Sequence, residues 1–112
     1  MNPDDPKLDL TALQAAAGRA CALLKVLGNP DRLLLMCQLS QGELSVGDLE
    51  AQLGIRQPTL SQQLGVLREH GVVATRREGK NVFYSVESPQ ALAVMAVLYE
   101  QFCASPGEEP AS

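Results

Sequence analysis

The most constraining feature of this sequence is a change in the spacing of its apolar residues at Gly71. Before Gly71 they recur every three or four residues, which is the spacing of one face of an α-helix. Residues 72–86 instead alternate apolar and polar, and Glu78–Asn81 interrupt the alternation with a glycine-containing turn. The sequence therefore predicts a mainly α-helical chain with a single β-hairpin after its first four helices.

Capping residues and glycines divide the chain into five predicted helices. The first carries apolar residues at heptad-like spacing, which is typical of a helix that packs on another long helix. The fifth is apolar nearly all round, so it must be covered on more than one side. The predicted bounds are Leu10 to Gly28, Asn29-Pro30 to Gly42, Ser45 to Gly54, Gln57-Pro58 to Gly71, and Ser88-Pro89 to Cys103.

The third and fourth predicted helices are joined by a short turn, and the outer face of the fourth is polar. Leu60, Leu64 and Leu67 fall on one face of this helix, so its hydroxyl and amide side chains point away from the core. This layout is typical of a helix-turn-helix, and the hairpin that follows makes it a winged helix-turn-helix. A polar outer face also occurs on any surface helix, so the helix pair alone does not establish DNA binding.

The charge distribution supports a nucleic-acid partner only locally. The net charge of the 112-residue chain is -4, which taken globally argues against binding a polyanion. Residues 56–80 nevertheless hold five basic groups and two acidic ones, a net charge of +3. Salt screens exposed charges over about 8–10 Å, so a basic patch on an acidic body can still bind phosphates. The candidate base-reading residues are Gln57, Thr59, Ser61 and Gln62, and the candidate phosphate contacts are Arg56, Arg76, Arg77 and Lys80.

The first and last predicted helices expose more apolar surface than a domain this small can cover. Pairing both helices across a two-fold axis would bury them, which predicts a homodimer and an imperfectly palindromic operator in double-stranded DNA. Residues 9–103 are predicted to form this domain. Residues 1–8 and 104–112 are rich in Pro, Gly, Ser and acidic residues, which predicts disorder.

Other features bear on location and chemistry. Met1–Pro6 lacks the basic start and apolar run of a secretory signal, and no segment is expected to reach the roughly 20 apolar residues of a membrane span, so we expect a cytoplasmic protein with no membrane partner. Three scattered cysteines exclude a disulfide framework. The sequence predicts no catalytic residue, no metal site and no cofactor.

Four segments, in the same order along the chain, resemble the ArsR/SmtB family of dimeric bacterial repressors. This resemblance implies a winged-helix dimer that binds its operator and leaves it when an inducer binds. It also implies that the helix at residues 57–70 reads the major groove and that the hairpin wing touches flanking backbone or the minor groove. The segments are Leu27–Leu33, Glu43–Leu49, Gln57–Leu64 and Arg76–Val86.

The resemblance also bears on the inducer. Metal-sensing members often carry cysteines in the third helix or Asp and His on the last one, whereas this chain has Ser45–Gly47 in the first place and neither residue type within 89–103. What remains is Cys37 on the second helix and Cys103 at the end of the last. This pair resembles the persulfide-sensing branch of the family, which controls sulfide detoxification. It implies that a persulfide or polysulfide joins the two thiols and thereby weakens DNA binding.

Several alternatives stay open at this stage. Cys37 could equally be a small buried core residue, and Cys21 is interpreted as a packing or interface residue. The same thiols could bind a thiophilic metalloid or Cu(I) as soft ligands. A dimeric module whose wing contacts protein would show the same pattern of elements. A small thiol oxidoreductase is disfavoured because the chain has neither a Cys-x-x-Cys pair nor a βαβ pattern.

Overall fold

The computed structural model describes residues 9–103, which form five α-helices and a three-stranded antiparallel sheet of order β1-β3-β2. The predicted disordered segments, 1–8 and 104–112, lie outside the described residues. The architecture is a winged helix-turn-helix, as the sequence predicts. Its elements are α1 Leu10–Leu27, α2 Pro30–Leu39, β1 Leu44–Ser45, α3 Val46–Leu53, α4 Thr59–Glu69, β2 Val73–Glu78, β3 Asn81–Val86 and α5 Pro89–Phe102.

The helix starts follow from local side-chain hydrogen bonds. The Asn29 side chain accepts from the Arg32 backbone N–H at 3.0 Å, and Pro30 occupies the first turn of α2, where its missing N–H costs nothing. Ser45 and Asp48 form a reciprocal capping box at α3, and the Ser88 hydroxyl accepts from the Ala91 N–H at 3.0 Å at α5. These predicted starts are confirmed.

Two helix boundaries and one strand differ from the sequence prediction. The second helix ends at Leu39, three residues before Gly42, and α4 begins at Thr59 rather than at the preceding Gln-Pro pair. The two-residue strand β1 was not predicted. It pairs with β3, with Leu44 opposite Tyr84, and two residues are too few to show an alternating pattern. The wing is therefore the hairpin of a three-stranded sheet.

The hydrophobic core lies between α2, α3, α4 and the start of the wing. The predicted apolar face of α4 is buried, as are Leu35 and Met36 of α2 and Leu49 of α3. Val72 and Val73 lead the wing out of this core, and Met95 anchors α5 to it. Packing around α4 therefore fixes which side of that helix remains in solvent.

The first helix contrasts with this core, because α1 buries only Val26 and Leu27 at its C-terminal end. By length and composition alone, its 18 residues are long and apolar enough to cross a membrane. The expectation that no segment reaches such a length and composition was therefore too strong. A helix of this kind is weak evidence for a membrane, since a helix that packs on another subunit has a similar composition, and α1 also carries Arg19 and Lys25.

Candidate DNA-reading surface and thiol pair

The fourth helix presents a polar surface because its apolar side is locked in the core. Leu60, Leu64 and Leu67 are buried, and Ser61 and Gln62 lie exposed on the outer side of α4. The turn between α3 and α4 begins at Gly54, whose φ of 70° is the left-handed conformation that favours glycine. This turn holds the exposed side of α4 outward, where hydroxyl and amide groups can both donate and accept hydrogen bonds.

The other two candidate base-reading residues are arranged differently. Thr59 is half-buried at the first turn of α4. The Gln57 side-chain oxygen accepts from the Ser61 backbone N–H at 3.0 Å, and the residue at the N-cap position, Pro58, makes no side-chain cap bond. Gln57 therefore caps α4 with its oxygen, which leaves its amide nitrogen as the group that faces a further partner.

Arg76 is held by contacts with the wing residue Phe83 and with Glu43, which lies outside the wing. Its Nε lies 3.0 and 2.9 Å from the two carboxylate oxygens of Glu43, and its guanidinium lies 4.6 Å from the centre of the Phe83 ring. The hydrogen bonds from Arg76 to Glu43 raise the pKa of Arg76. Arg76 and Phe83 are register partners in the sheet, and Glu43 directly precedes β1, so these contacts join all three strands. No sequence pattern indicates this pairing, because the two charged residues are 33 positions apart.

The remaining basic candidates are exposed. Arg77 follows Arg76 in β2, so its side chain leaves the opposite face of the sheet. Lys80 lies in the two-residue turn of the hairpin after Gly79, whose φ is 63°. Arg56 is exposed just before α4. Within residues 9–103 the salt bridges of basic side chains involve Arg76 alone, so the charges of Arg77, Lys80 and Arg56 remain available.

The structure brings Cys37 and Cys103 into electrostatic reach of each other. Cys37 is half-buried on α2 and packs against the core, whereas Cys103 is exposed at the C-cap of α5. Burial raises the pKa of the Cys37 thiol, and negative charge on Cys103 raises it further. This second cause acts across the contact between α2 and α5, the helices that carry the two thiols. Both thiols are free, as is that of Cys21, which is exposed on α1.

One polar connection to α4 was not anticipated from the sequence. The guanidinium of Arg32 on α2 donates to the Val26 and Lys25 backbone oxygens at the end of α1 and to the Gln63 side-chain oxygen on α4. Gln63 was not among the predicted site residues, because Arg32 and Gln63 are 31 positions apart and meet only through packing.

The described part of the chain, residues 9–103, holds no group of three or more His, Cys, Asp and Glu residues that could bind a metal ion. The two thiols therefore stand without a third neighbouring ligand among the described residues. A tetrahedral Zn²⁺ site needs four such ligands.

Comparisons with known proteins agree with this geometry. A family model described as "Bacterial regulatory protein, arsR family" matches residues 29–75. The chain is 54% identical over 101 residues to the Biofilm growth-associated repressor of Agrobacterium fabrum, an alignment that covers 90% of this chain and 86% of that protein.

Solved structures extend the likeness to the fold. The transcriptional repressor BigR from Xylella fastidiosa is 49% identical and superimposes with a TM-score of 0.80, covering 88% of this chain and 100% of that one. The homodimeric winged helix-turn-helix DNA-binding domain Mb0332 from Mycobacterium bovis is 25% identical, with a TM-score of 0.69, covering 90% of this chain and 89% of that one.

Proposed function

We propose that this chain, which belongs to the ArsR family of bacterial regulatory proteins, is released from operator DNA by persulfide or polysulfide. It is a DNA-binding transcriptional repressor and not an enzyme. A homodimer in the cytoplasm binds an imperfect palindrome while Cys37 and Cys103 are reduced. Joining the two thiols weakens that binding and turns on genes for sulfide detoxification. The proposal rests on the contact between α2 and α5, which carry the two thiols, together with the effect of the charge on Cys103 on the pKa of Cys37.

Exposure and pKa suggest an order of attack. Cys103 is exposed, so its thiolate attacks a polysulfide first: a new S–S bond forms, and a polysulfide shorter by one sulfur leaves with the electron pair. The Cys37 thiolate then attacks Sγ of the Cys103 persulfide, and sulfide leaves. The two thiols lose two electrons in total, the transferred sulfur is reduced to sulfide, and the thiol protons end on the sulfide and solvent.

The bond between Cys37 and Cys103 would weaken DNA binding by changing the geometry of the dimer. Cys37 belongs to α2, which packs on the reading helix α4, and Cys103 belongs to α5, whose outer side is apolar and exposed. A covalent bond between α2 and α5 fixes the position of α5 relative to α2 and α4. Because half-sites lie about one DNA turn, or 34 Å, apart, a small change in the spacing of the two α4 helices prevents both from binding at once.

A second copy of this chain is the proposed cover for the apolar sides of α1 and α5. Both helices expose large apolar side chains, and a contiguous apolar patch on a soluble domain usually marks an interaction site. The homodimeric state of the Mycobacterium bovis domain supports this arrangement. The exposed residues are Leu10, Leu13 and Leu24 on α1, and Leu92, Val97, Tyr99 and Phe102 on α5.

The decisive experiment measures operator affinity with and without sodium tetrasulfide for the unaltered chain, Cys37→Ser and Cys103→Ser, with Cys21→Ser as the matched control. We expect tetrasulfide to lower the operator affinity of the unaltered chain and of Cys21→Ser at least tenfold. Both other variants should bind DNA and fail to respond. A full response in either of them would contradict the proposal. In parallel, intact-mass spectrometry should show a link between Cys37 and Cys103.

Thiols on two contacting helices also fit a second function, a repressor released by arsenite or Cu(I), because soft thiolates bind both. Mass spectrometry after each treatment separates the two: a retained metal or metalloid with release of DNA favours this function over sulfur sensing. A gel shift on the region upstream of this chain's gene tests the remaining alternative, a protein-interaction module, which would show no shift.

For the DNA surface we propose that Ser61, Gln62, Thr59 and Gln57 reach base edges, while Arg77, Lys80 and Arg56 hold phosphates. Arg76 would contribute less, because Glu43 already compensates its charge. Replacing Gln62 with Ala should relax the sequence preference, and unchanged preference would contradict its role.

The phosphate assignments predict a difference between two neighbouring arginines. Arg77→Gln should lower the slope of log affinity against log salt by about one unit, and Arg76→Gln should lower it by clearly less. The double variant Glu43→Gln/Arg76→Gln preserves net charge and serves as the control. Equal slope changes for both single variants would show that Arg76 leaves Glu43 to bind DNA.

A further inference from the structure

We propose that Arg32 is a positioning residue for DNA reading, which holds α4 at a fixed orientation to α1 by way of Gln63. Arg32 itself points into the protein, half-buried, and does not need to touch DNA. The inference rests on the proposed role of α4 in reading bases.

At one end, Arg32 binds the C-terminus of α1. The last carbonyl groups of an α-helix lack partners within the helix, and cationic donors there also complement the helix dipole. The Arg32 Nε donates to the Val26 oxygen, and one terminal nitrogen donates to the Lys25 oxygen at 3.3 Å. These two bonds fix the guanidinium plane relative to α1.

At the other end, the same group binds α4. The other terminal nitrogen of Arg32 lies 2.7 Å from the Gln63 side-chain oxygen. Gln63 is half-buried on the side of α4 that faces α2, whereas its neighbour Gln62 is exposed on the outer side. The planar fork of an arginine can donate in these three directions at once, and the single ammonium of a lysine cannot reproduce that geometry.

This connection links the two surfaces that the repressor uses. The first helix carries exposed apolar residues for the proposed partner subunit, and α4 carries the proposed base-reading residues. In a symmetric dimer, the orientation of α4 relative to α1 sets how far apart, and at what angle, the two reading helices stand. A bond of a charged donor to Gln63 opposes rotation of α4 about its buried leucine face, and so keeps Gln62 aimed at the groove.

The test removes the acceptor and keeps the rest. Gln63→Met has similar length and good helix propensity, and it leaves the bonds of Arg32 to α1 in place. We expect affinity for a duplex from the region upstream of this chain's gene to fall about tenfold, the usual size for losing a hydrogen bond to a charged group. Affinity for a scrambled duplex and the salt slope should not change, because no phosphate contact is altered.

A matched control is available on α2, the helix that carries Arg32. The Gln38 side chain donates to Gln52 at 2.6 Å, which joins α2 to α3 and does not involve α4. Gln38→Met should therefore leave the preference for the upstream duplex within twofold of the unaltered chain. An equal loss of preference for the upstream duplex in Gln38→Met and Gln63→Met would overturn the proposal. It would show that any hydrogen bond between two helices supports DNA reading to the same extent.

A double variant separates positioning from direct reading by Gln63. In an Arg32→Lys background the Gln63 bond is already lost, so adding Gln63→Met should cost little more. A further tenfold loss in that background would overturn the proposal and make Gln63 a DNA contact. If the unaltered chain shows no preference for the upstream duplex, the proposed function fails together with this inference. If it does and Gln63→Met keeps that preference, only the inference fails.

Discussion

The reading half of this molecule and its outer helix pair use apolar residues in opposite ways. In the reading half, formed by α2, α3, α4 and the wing, large apolar side chains such as Leu35, Leu49 and Leu64 are at most 1% exposed. On α1 and α5 the corresponding residues face solvent, with Phe102 81% exposed and Leu10 67% exposed. The reading half therefore completes its core within one chain, and the helix pair has apolar surface that one chain does not cover.

This difference suggests a division of labour. A fully packed core tolerates no change of shape without cost, so it suits a surface that must present side chains to DNA at fixed positions. Helices that pack mainly on a partner can shift at modest cost. The proposed sensor pair spans this boundary, with Cys37 on the packed side and Cys103 on the exposed side.

The largest expected effect is in the core. Leu64→Ala should lower the free energy of unfolding by about 3 kcal/mol, because it removes buried methyl groups and leaves a cavity. Leu24→Ala on α1 is the control, since Leu24 is exposed, and it should cost less than about 1 kcal/mol in the dilute monomer. Urea unfolding measures both free energies. Similar losses of stability would show that the two regions do not differ in how far their apolar side chains are buried.

The next effect is on self-association. Leu13→Asp should weaken the dimer by about 2 kcal/mol, or roughly thirtyfold, because it puts a charge where an apolar side chain is to be buried. Ala15→Asp adds the same charge on the opposite side of α1 and should change association little. Sedimentation equilibrium measures both constants. If Leu13→Asp leaves the association constant of the dimer unchanged, α1 is not part of the interface.

A smaller effect concerns the proposed bond between Cys37 and Cys103, which would join the two regions. Burial and the charge on Cys103 raise the pKa of Cys37, so this thiol stays protonated at neutral pH and attacks slowly. The rate of linking after polysulfide treatment should therefore rise up to about tenfold per pH unit between about pH 7 and 9. Acid quenching followed by mass spectrometry measures the rate. A flat profile would show that the Cys37 thiolate does not take part in the slow step.

The smallest effect compares two helix caps. Asn29→Ala removes the cap of α2 inside the reading half and should cost about 1 kcal/mol of stability. Asp9→Ala removes the equivalent cap of α1, whose N-terminal part is exposed, and should cost only a few tenths of a kcal/mol. Urea unfolding of both variants measures the two stability costs. Equal costs would show that α1 unfolds in the same cooperative unit as α2.

Local chemistry made much of the fold predictable. A capping serine and its aspartate three residues later act over one helical turn, so the sequence alone identifies Ser45 and Asp48 as a helix start. The buried face of α4 followed from the spacing of three leucines, and the hairpin followed from alternation around Gly79. Strand β1 could not be predicted because its two residues are defined by a partner far along the chain.

The candidate site was less predictable than the fold. Exposure of Ser61 and Gln62 could be inferred from helical periodicity, but the role of Gln57 as a cap depended on its rotamer. Arg76 and Arg77 look equivalent in the sequence, and only the position of Glu43 beside the wing distinguishes them. Closeness of the two thiols was implied by family resemblance, since no local pattern relates residues so far apart.

Residues near each other along the chain therefore settled the type, order and outward face of each element, because caps, turns and periodicity act over a few residues. Contacts between distant residues depended on how those elements pack. These contacts include the hydrogen bonds of Arg32 to α1 and α4, the pairing of Arg76 with Glu43, and the electrostatic reach between Cys37 and Cys103. Hydrogen bonds and charges act over a few ångströms, so partners remote in the chain can be identified only once the fold has brought them together.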